Sequence, residues 1–561
     1  MRHSLIAALG LAILAAWWTP AHAERKTVCS ITVNSPDERE TLRRYLPKDE
    51  FEFVELVERG RPDWLESACR KAVRCDVLLI SGHFDGGTEF YSDRLDARES
   101  LPVAELERAS CSTACSSLFS RLREVYLFGC NTLNAEPLHS ASGEIRRSLV
   151  RAGYSADDVE RLATLLDARH GDSNRDVMRH IFGGVPVIYG FSGKAPLGRY
   201  AAATLDRYFQ AGQVGEVGSG RADARLLGLF APVSMTSTTG VGDGDTHAAY
   251  RQDVCQFADD GRNAAQKIGF IHSLLQRDVT EARLFLDRIE RYTASLSATD
   301  RDLPDAAAAW GLIREDVAAR TRFLEFARDA DRADVRARML GVAREFGWLS
   351  RAEERGELLR MFGERLAADR TGAPEVELAC ALNQDGELGA ELDRLKIDAA
   401  QALKPSHAAV LACLGSAEAR ARVLRALTSP NEVDVQIAQV YLNRRPVEDA
   451  EELRSLATDI TRMRSGEAQV LALDTLGRHR IADRASLEEL ARLFASVKSL
   501  EVQRAVAGIL IRADYPAIAT PELLQSVRQS RVKVAEGHDA IDILIRRLEL
   551  VIAANLRVAG S

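Results

Sequence analysis

The sequence has no excess of basic charge, no long apolar segment beyond its first residues, and few cysteines for its length. Its 561 residues include 74 Lys and Arg against 82 Asp and Glu, a net charge of −8. Nucleic-acid binding needs a basic surface to contact phosphates, so this balance does not indicate a nucleic-acid partner. Nine cysteines are too sparse for a small disulfide scaffold, and 46% hydrophobic residues exclude a disordered chain. We expect two to four globular units of about 150 residues each.

The longest apolar run lies at the N-terminus and has the form of an export signal. Arg2 precedes an apolar run of 14 residues from Leu5 to Trp18, and Ala21-His22-Ala23 fits a cleavage site. Spanning a bilayer needs about 20 apolar residues, so the run is too short for a membrane helix. The sequence predicts a signal peptide over 1–23, cleaved after Ala23. It also predicts an exported chain, periplasmic or secreted, without a membrane span.

The remaining sequence changes character near residue 240. Before that point, short runs rich in Val, Ile and Leu alternate with helical patterns, which predicts an α/β domain over 24–235. Several runs are apolar on both faces, as in a mainly parallel sheet flanked by helices. The expected strands are 27–33, 51–57, 76–81, 124–129 and 185–190, and the expected helices are 37–45, 64–73, 145–152 and 156–168.

Residues 236–254 are rich in Gly, Ser, Thr and Asp and predict a linker. The Asp-Gly-Asp stretch at 243–245 is also compatible with a calcium loop, but the spaced carboxylates and distal Glu of such a loop are missing. The linker interpretation is therefore preferred.

The second half of the sequence is helical and its last part repeats. We expect a helical region over 255–370 and an all-α solenoid over 371–561. Gln436, Gln469 and Gln503 occur in similar apolar contexts, 33 and 34 residues apart, and each is followed by a second amphipathic segment. Two helices per unit at such a period indicate stacked helix pairs, and the pattern resembles HEAT-type repeats. Solenoids present extended surfaces to other proteins, so this region predicts a protein partner.

Two expected strands end in chemically useful residues. The strand at 76–81 leads into Gly82 and His83, and the strand at 124–129 leads into Cys130. The carboxyl ends of parallel strands open onto one edge of a sheet, where ligands bind. A thiolate is a nucleophile, and a neighbouring imidazole can activate it and protonate the leaving amine. The sequence therefore predicts a catalytic dyad of His83 and Cys130.

Glycines flank this predicted dyad. Gly82 and Gly129 allow the backbone to approach a reacting carbonyl closely, and N–H groups at such turns can bind an oxyanion. We assign this backbone role to Gly82, Phe84 and Gly129.

On these residues the chain resembles the caspase-like cysteine peptidases, including their CHAT branch. The resemblance covers about 24–235 and is carried by His83, by the run Phe128-Gly129-Cys130-Asn131-Thr132-Leu133, and by the strand-like segment 184–191. The His-to-Cys separation of 47 residues is close to the roughly 50 of caspases. The resemblance implies a cysteine endopeptidase that acts on a protein or peptide substrate without a metal or cofactor.

The resemblance also implies where a substrate binds, although this chain differs from the family at two positions near the dyad. The loop after 184–191 would line the P1 pocket, which points to Ser192, Gly193 and Lys194. The family usually has Gly directly after the catalytic His, where this chain has Phe84. The Asp that precedes the Cys in several Lys- or Arg-specific relatives is absent, so no P1 preference is implied.

Other interpretations of these residues stay open. Asp85 and Glu89 could orient His83 or line the substrate pocket, or could belong to a solvated loop. The α/β domain could be a non-catalytic relative that acts with the helical repeats as a scaffold for protein–protein interaction. A thiol oxidoreductase using Cys111 and Cys115 is a third alternative, but the pair lacks the CxxC spacing.

An odd number of cysteines in an exported protein leaves at least one without a partner in the chain. We expect this to be Cys130. Cys380 and Cys413 lie on equivalent helices that pack about 8–10 Å apart, beyond the usual disulfide span, so we expect them to stay unpaired. The remaining six are the disulfide pool: Cys29, Cys69, Cys75, Cys111, Cys115 and Cys255. Cys111 and Cys115 could instead bind a metal with His83 or His139, but disulfides with other partners, or a single redox pair, are preferred.

Overall fold

The protein is described here by a computed structural model. It describes residues 24–56, 65–92, 99–136, 146–147, 149–150, 153–169, 173–212, 214–277, 279–389, 404–464, 466–479, 481, 483–513, 518–532 and 539–559. The expected signal peptide and half of the helix expected at 145–152 lie outside these residues. The chain divides into two compact units, Met1–Arg322 and Phe323–Ser561.

The first unit is built on a six-stranded sheet. Its strands are β1 (Lys26–Thr32), β2 (Phe51–Glu55), β3 (Val77–Ser81), β7 (Glu124–Phe128), β8 (Val187–Phe191) and β9 (Met235–Thr238). The order across the sheet is β2-β1-β3-β7-β8-β9. The first five strands are parallel and β9 is antiparallel to β8. The predicted mainly parallel sheet is confirmed, with all five predicted strands in place.

Helices cover both faces of this sheet because the central strands are apolar on both sides. On β3, Leu78 and Ile80 belong to one apolar core, whereas Val77 and Leu79 belong to the core on the opposite face. Successive side chains of a strand point to opposite faces, so continuous apolar runs require cover on each. The helices that supply this cover are α1 (Asp37–Tyr45) and α7 (Gly198–Gln210) on one face, and α2 (Glu66–Arg70), α3 (Val103–Cys111) and α6 (Asn174–Ile181) on the other.

A second, smaller sheet follows β3 directly. Its three antiparallel strands are β4 (His83–Phe84), β5 (Glu89–Tyr91) and β6 (Ser100–Pro102). The sequence did not predict it, because strands of two or three residues show no periodicity. Its first strand carries His83.

The expected linker contains regular structure. Strand β9 begins at the expected domain boundary and uses residues 236–238 of the linker to complete the large sheet. Its polar Thr and Ser side chains suit an edge strand, which is why its composition resembled that of a loop. The helix α9 (Ala248–Ala258) then begins inside the expected linker.

The other helices have the following bounds. In the first unit they are α4 (Ser116–Phe119), α5 (Ala156–Arg169), α8 (Ala224–Phe230), α10 (Ala264–Arg277), α11 (Val279–Leu284), α12 (Leu286–Ser295), α13 (Ala298–Asp302) and α14 (Pro304–Glu315), and α15 (Val317–Arg328) runs through the division between the units. In the second unit they are α16 (Ala333–Glu345), α17 (Arg351–Ala367), α18 (Ala373–Leu382), α19 (Pro405–Cys413), α20 (Ala417–Ala426), α21 (Glu432–Arg444), α22 (Ala450–Thr461), α23 (Glu467–Leu476), α24 (Arg484–Ser496), α25 (Leu500–Arg512), α26 (Pro521–Ser530) and α27 (Ala540–Ala559).

The regular structure that is described in the second unit is helical, and its later helices pack in two rows. One row runs α18, α21, α23, α25 and α27, and the other runs α22, α24 and α26, with contacts between successive members of each row. Two of the repeated glutamines make the same hydrogen bonds in successive repeats, which accounts for the spacing between them. The side-chain amide of Gln469 donates to the carbonyls of Ile460 and Met463, and that of Gln503 donates to the carbonyls of Phe494 and Val497. Each buried glutamine therefore caps the end of the preceding helix at the same sequence offsets. Gln436 is exposed and does not share this position.

All nine cysteines lie within the described residues, and eight of them form disulfides. The pairs are Cys29–Cys75, Cys69–Cys115, Cys111–Cys255 and Cys380–Cys413. Cys130 is the free cysteine, as predicted. Four disulfides are compatible with an exported protein. Across the described residues, the helices are all too short or too polar to cross a membrane.

The expectation that Cys380 and Cys413 stay unpaired is wrong. Their Cα atoms are 4.5 Å apart. A separation of about 8–10 Å applies to helix axes, whereas Cα atoms lie about 2.3 Å out from each axis. Two residues on the facing sides of neighbouring helices can therefore come within disulfide range.

Candidate active site

The residues that follow β3 and β7 meet at the carboxyl edge of the large sheet. The Gly82 N–H donates to the carbonyl of Phe128 at 3.1 Å. A Cβ atom placed on Gly129 would lie 3.0 Å from the Cβ of Phe84 and 3.1 Å from the Gly82 carbonyl oxygen. Only glycine fits such an approach without displacing its neighbours. The segment that carries His83 and the segment that leads into Cys130 are therefore in direct contact.

Cys130 stands at the start of a tight turn that joins the β7 edge to the β8 edge. Asn131 has a left-handed backbone with φ of 58°, a conformation that Asn tolerates better than most residues. Its N–H donates to the Gly193 carbonyl at 2.7 Å, and the Leu133 N–H donates to the Phe191 carbonyl at 2.9 Å. The thiol is half-buried, and its Sγ accepts the N–H of Ala195 at 3.3 Å. A backbone donor aimed at sulfur is a favourable partner for negative charge on that atom.

A buried threonine and an asparagine hold this turn. The Thr132 hydroxyl donates to the Gly129 carbonyl and accepts the Phe191 N–H, both at 3.1 Å. The Asn174 side chain, in the first turn of α6, donates to the Asn131 carbonyl at 3.0 Å. These bonds fix the backbone on both sides of Cys130, so the position of the thiol is set by the sheet rather than by a free loop.

His83 lies on β4, two residues beyond the end of the large-sheet strand β3. It pairs in register with Tyr91 of β5, and the two ring centroids are 5.4 Å apart. The residue is half-buried, and its Nε2 atom is buried. The small sheet therefore holds the ring beside an aromatic neighbour.

The acidic residues after His83 shape the β4–β5 turn. The Asp85 Oδ1 accepts the backbone N–H groups of Gly87, Thr88 and Glu89 at 3.0, 2.8 and 3.1 Å. Partial burial opposes ionisation, but the bonds from the Thr88 side chain and these backbone donors outweigh it and lower the pKa of Asp85. The Asp85 carboxylate is thus an ionised element of the turn, and its hydrogen bonds give no role in orienting His83.

The predicted pocket residues lie in the loop after β8. Ser192 and Lys194 are exposed, and Gly193 contacts the Cys130 turn through its carbonyl. The N–H and the hydroxyl of Ser192 both donate to the Ser234 carbonyl, at 3.0 and 3.3 Å. The structure therefore brings this loop to the same edge as His83 and Cys130.

One predicted oxyanion donor is already engaged. Because the Gly82 N–H bonds to the Phe128 carbonyl, it serves strand pairing and not an incoming oxyanion. Gly129 allows close packing of the two segments, and the backbone roles expected for Gly129 and Phe84 stay predictions. The Phe84 side chain is buried against the Phe90 ring, with centroids 4.7 Å apart, and belongs to the core.

Metal binding by Cys111 and Cys115 is also excluded. Cys111 and Cys115 each form a disulfide with a different partner, so neither a metal pair nor a redox pair is present. Within the described residues, no three or more His, Cys, Asp or Glu side chains form a group that could hold a metal ion.

Glu38, which the sequence did not single out, is buried beneath the end of β3. It lies in the first turn of α1, is 2% exposed, and accepts the hydroxyl of Ser81 at 3.0 Å. Burial raises its pKa to about 7. The sequence signal was weak, because a Glu in a first helical turn is ordinarily a solvated residue.

This carboxyl gives a prediction for stability. The folded chain keeps the Glu38 proton that the unfolded chain releases above pH 4.5, so its contribution to stability falls as pH rises from about 4.5 to about 7. We expect Glu38→Gln to raise the free energy of unfolding by about 3 kcal/mol at pH 8 and to leave it unchanged at pH 4. Denaturant melts at both pH values measure this, with the exposed Glu50→Gln as the matched control. An equal effect at both pH values would contradict the assignment.

Several site residues could not be read from the sequence. Ala195 and Asn174 act through a backbone N–H and a long-range hydrogen bond, and their residue types carry no signal of their own. Thr132 belongs to the run that carries the resemblance, but its two hydrogen bonds were not predicted. Comparison with known proteins adds no further assignment, because neither a protein-family model nor a curated protein sequence matches this chain.

Proposed function

We propose that the α/β domain is a cysteine-type endopeptidase, as its resemblance to caspase-like peptidases implies. The observation that carries the proposal is the state and place of Cys130. Eight of nine cysteines are paired, and the remaining thiol lies at the carboxyl edge of a parallel sheet, on a segment in contact with the one that bears a histidine. A nucleophilic cysteine needs a free, partly accessible thiol and a nearby base. Cys130 has such a thiol, and the proposed base is His83 on the neighbouring segment.

In the proposed reaction, His83 takes the thiol proton and Cys130 Sγ attacks the scissile carbonyl carbon. A C–S bond forms, and the N–H of Cys130 is the proposed donor to the oxyanion. The C–N bond then breaks, and His83 gives its proton to the leaving amine. In the second half-reaction His83 takes a proton from water, which attacks the thioester carbonyl and releases the acid and the thiol. The Ala195 N–H supports the sulfur while it is charged.

We also propose that the helical repeats of the second unit hold a protein substrate or partner. Rows of stacked helices form extended surfaces without needing a pocket. Gln436 is exposed, whereas Gln469 and Gln503, the next two glutamines of the repeat pattern, are buried as helix caps, so the repeats are not uniform. Irregular repeats allow one part of the surface to differ from the rest.

The test is active-site labelling of the intact protein with a peptidyl acyloxymethyl ketone, whose methylene carbon is captured by a thiolate with loss of the carboxylate. Mass spectrometry is expected to find the label on Cys130. At pH 6 the wild type is expected to be labelled at least ten times faster than the His83→Ala variant. Iodoacetamide, which needs no binding, controls for access to the thiol. Equal labelling rates for wild type and His83→Ala across pH 5–9 would overturn the dyad and favour a non-catalytic scaffold.

A further inference from the structure

Two buried histidines lie next to each other where α6 meets the start of α9. His180 is in the last turn of α6, His247 is the residue before α9, and they are 4% and 8% exposed. Their ring centroids are 5.4 Å apart. Within the part of the chain that the structure describes, His180 Nε2 and His247 Nδ1 are buried without a hydrogen-bond partner in the protein. Buried polar atoms are nearly always paired, so this histidine pair needs an explanation.

The groups around His180 are aromatic or positively charged. The centroid of the Tyr250 ring lies 4.8 Å from that of the His180 ring. Three guanidiniums, one each from α9, α6 and α12, act on its charge: Arg251, Arg179 and Arg288. Burial, together with His247 and these guanidiniums, lowers the pKa of His180 well below its usual value of 6.5. His180 is therefore uncharged at neutral pH.

The carboxylates near this cluster are already matched to its arginines. They are Asp176 and Asp245 for Arg179, Asp243 for Arg251, and Glu107 for Arg288. The last pair is bidentate, because Arg288 Nη1 and Nη2 donate to the two oxygens of Glu107 at 2.6 and 2.7 Å, and it joins α12 to α3. The charged groups that most affect His180 are all positive. A proton on His180 would thus add a further buried cation to the cluster.

Helix α6 connects this cluster to the Cys130 turn. At its start, the Asn174 side chain donates to the Asn131 carbonyl at 3.0 Å, next to Cys130. At its end, Arg251 Nε of α9 donates to the His180 carbonyl at 2.9 Å. Eight helical residues join the two ends. A separation of α6 from α9 would therefore be transmitted to the backbone beside the thiol.

We propose that the histidine pair is an acid-sensitive switch, in which protonation separates α6 from α9 and releases the Cys130 turn from Asn174. Its effect on cleavage rests on the proposed peptidase function, whereas the release of α6 does not. The sign follows from which state binds the proton. Released His180 is solvated and takes a proton below its usual pKa of 6.5, whereas packed His180 stays uncharged to a much lower pH. The packed state therefore loses stability as the pH falls below about 6.5.

Hydrogen exchange of the intact wild-type chain measures this release. Between pH 7 and pH 5, one histidine with a solvated pKa of about 6.5 raises the equilibrium constant for release about 25-fold. We expect the protection factors over 177–181 and 131–133 to fall together by at least about tenfold. The central strands, over 78–80 and 125–127, are the internal reference and are expected to keep their protection. Protection of α6 that is unchanged between pH 7 and pH 5 would overturn the switch.

A double variant assigns the response to the histidines. His180→Phe with His247→Phe keeps two aromatic rings and removes both protonation sites, so α6 is expected to stay protected at pH 5. His272→Phe is the matched control, because His272 is a partly buried histidine of α10 that pairs with Asp316. It is expected to keep the wild-type response. Thermal melts at pH 7 show whether each variant folds, and His180→Phe alone, expected to reduce the response at least threefold, replaces a double variant that does not. An undiminished response would reject the histidines as its source.

A further variant tests the path from α6 to the thiol. Asn174→Ala removes the side chain that bonds to the Asn131 carbonyl. The turn at 131–133 is expected to be less protected at pH 7 and to lose most of its pH response, while α6 keeps its own. A turn that still follows α6 as in the wild type would overturn the transmission through Asn174.

Peptide cleavage distinguishes the switch from the proposed function. Cleavage by the wild type is expected to fall between pH 7 and pH 5 along with the protection of α6, and to fall less in the double histidine variant. Release of α6 at pH 5 in a chain that cleaves no peptide would retain the switch and reject the peptidase. Cleavage that is unaffected by the release of α6 would retain the peptidase and reject the switch as its control.

Discussion

A Cys130→Ala variant is expected to cleave peptides at least about a thousandfold more slowly than the wild type. Removal of a nucleophile takes away the covalent route entirely and leaves only the weak effects of binding and polarisation. The measurement is kcat/KM on a peptide that the wild type cleaves, selected from a library of mixed-sequence peptides. Cleavage at an unchanged rate would show that Cys130 is not the nucleophile.

The loss is expected to arise from chemistry and not from misfolding. Cys130 is half-buried, and the turn around it is held by Asn131, Thr132 and Leu133 through bonds that alanine leaves intact. Replacing the thiol therefore removes one weak N–H to sulfur contact and little packing. Hydrogen exchange over 124–134 in the variant should match that of the wild type. Cys130→Ser is the matched control, because serine is close to cysteine in volume and carries a hydroxyl, which is a weaker nucleophile than a thiol.

The features that the sequence predicts depend on residues close together in the chain, whereas the missed features depend on residues far apart in it. The five parallel strands were identified because apolar runs bounded by polar residues are a local signal. The meeting of the His83 and Cys130 segments was predicted from topology, since neighbouring parallel strands end at one edge. The antiparallel β9 lay in a segment whose polar composition was typical of a linker. The two-row packing of the later helices follows the predicted period, although its HEAT-like identity stays a prediction.

The missed parts of the site depend on contacts between residues far apart in the sequence. The Ala195 N–H reaches the thiol only because the loop after β8 turns back across the edge. The high pKa of Glu38 results from burial under the end of β3, a property of the folded chain and not of the residue type. The engagement of the Gly82 N–H is a consequence of how far the β3–β7 pairing extends. Hydrogen-bond partners of this kind are set by register, and the sequence pattern alone left the register open.

The Glu107–Arg288 pair gives the largest expected effect on stability. Arg288→Met is expected to lower the free energy of unfolding of the first unit by about 3–5 kcal/mol at pH 8, because it leaves the Glu107 carboxylate buried without its main partner. The side chains of Arg288 and Glu107 are only 12% and 7% exposed, so water cannot replace the lost bonds. Hydrogen exchange as a function of denaturant, read over 103–111 and 286–295, measures the opening of the two helices that the pair joins.

A second variant and a change of pH distinguish a lost ion pair from lost packing. Glu107→Leu combined with Arg288→Met removes both charges, and the double variant is expected to recover most of the stability that the single variant loses. Burial opposes ionisation of Glu107, but the guanidiniums of Arg288 and Arg291 outweigh it and lower its pKa in the folded chain. The stability from this pair is therefore present above about pH 4.5 and declines as pH falls further. The gap between wild type and Arg288→Met should accordingly be smaller at pH 4 than at pH 8. A gap that is independent of pH, with no recovery in the double variant, would mean that the arginine stem and not its charge holds α12 against α3.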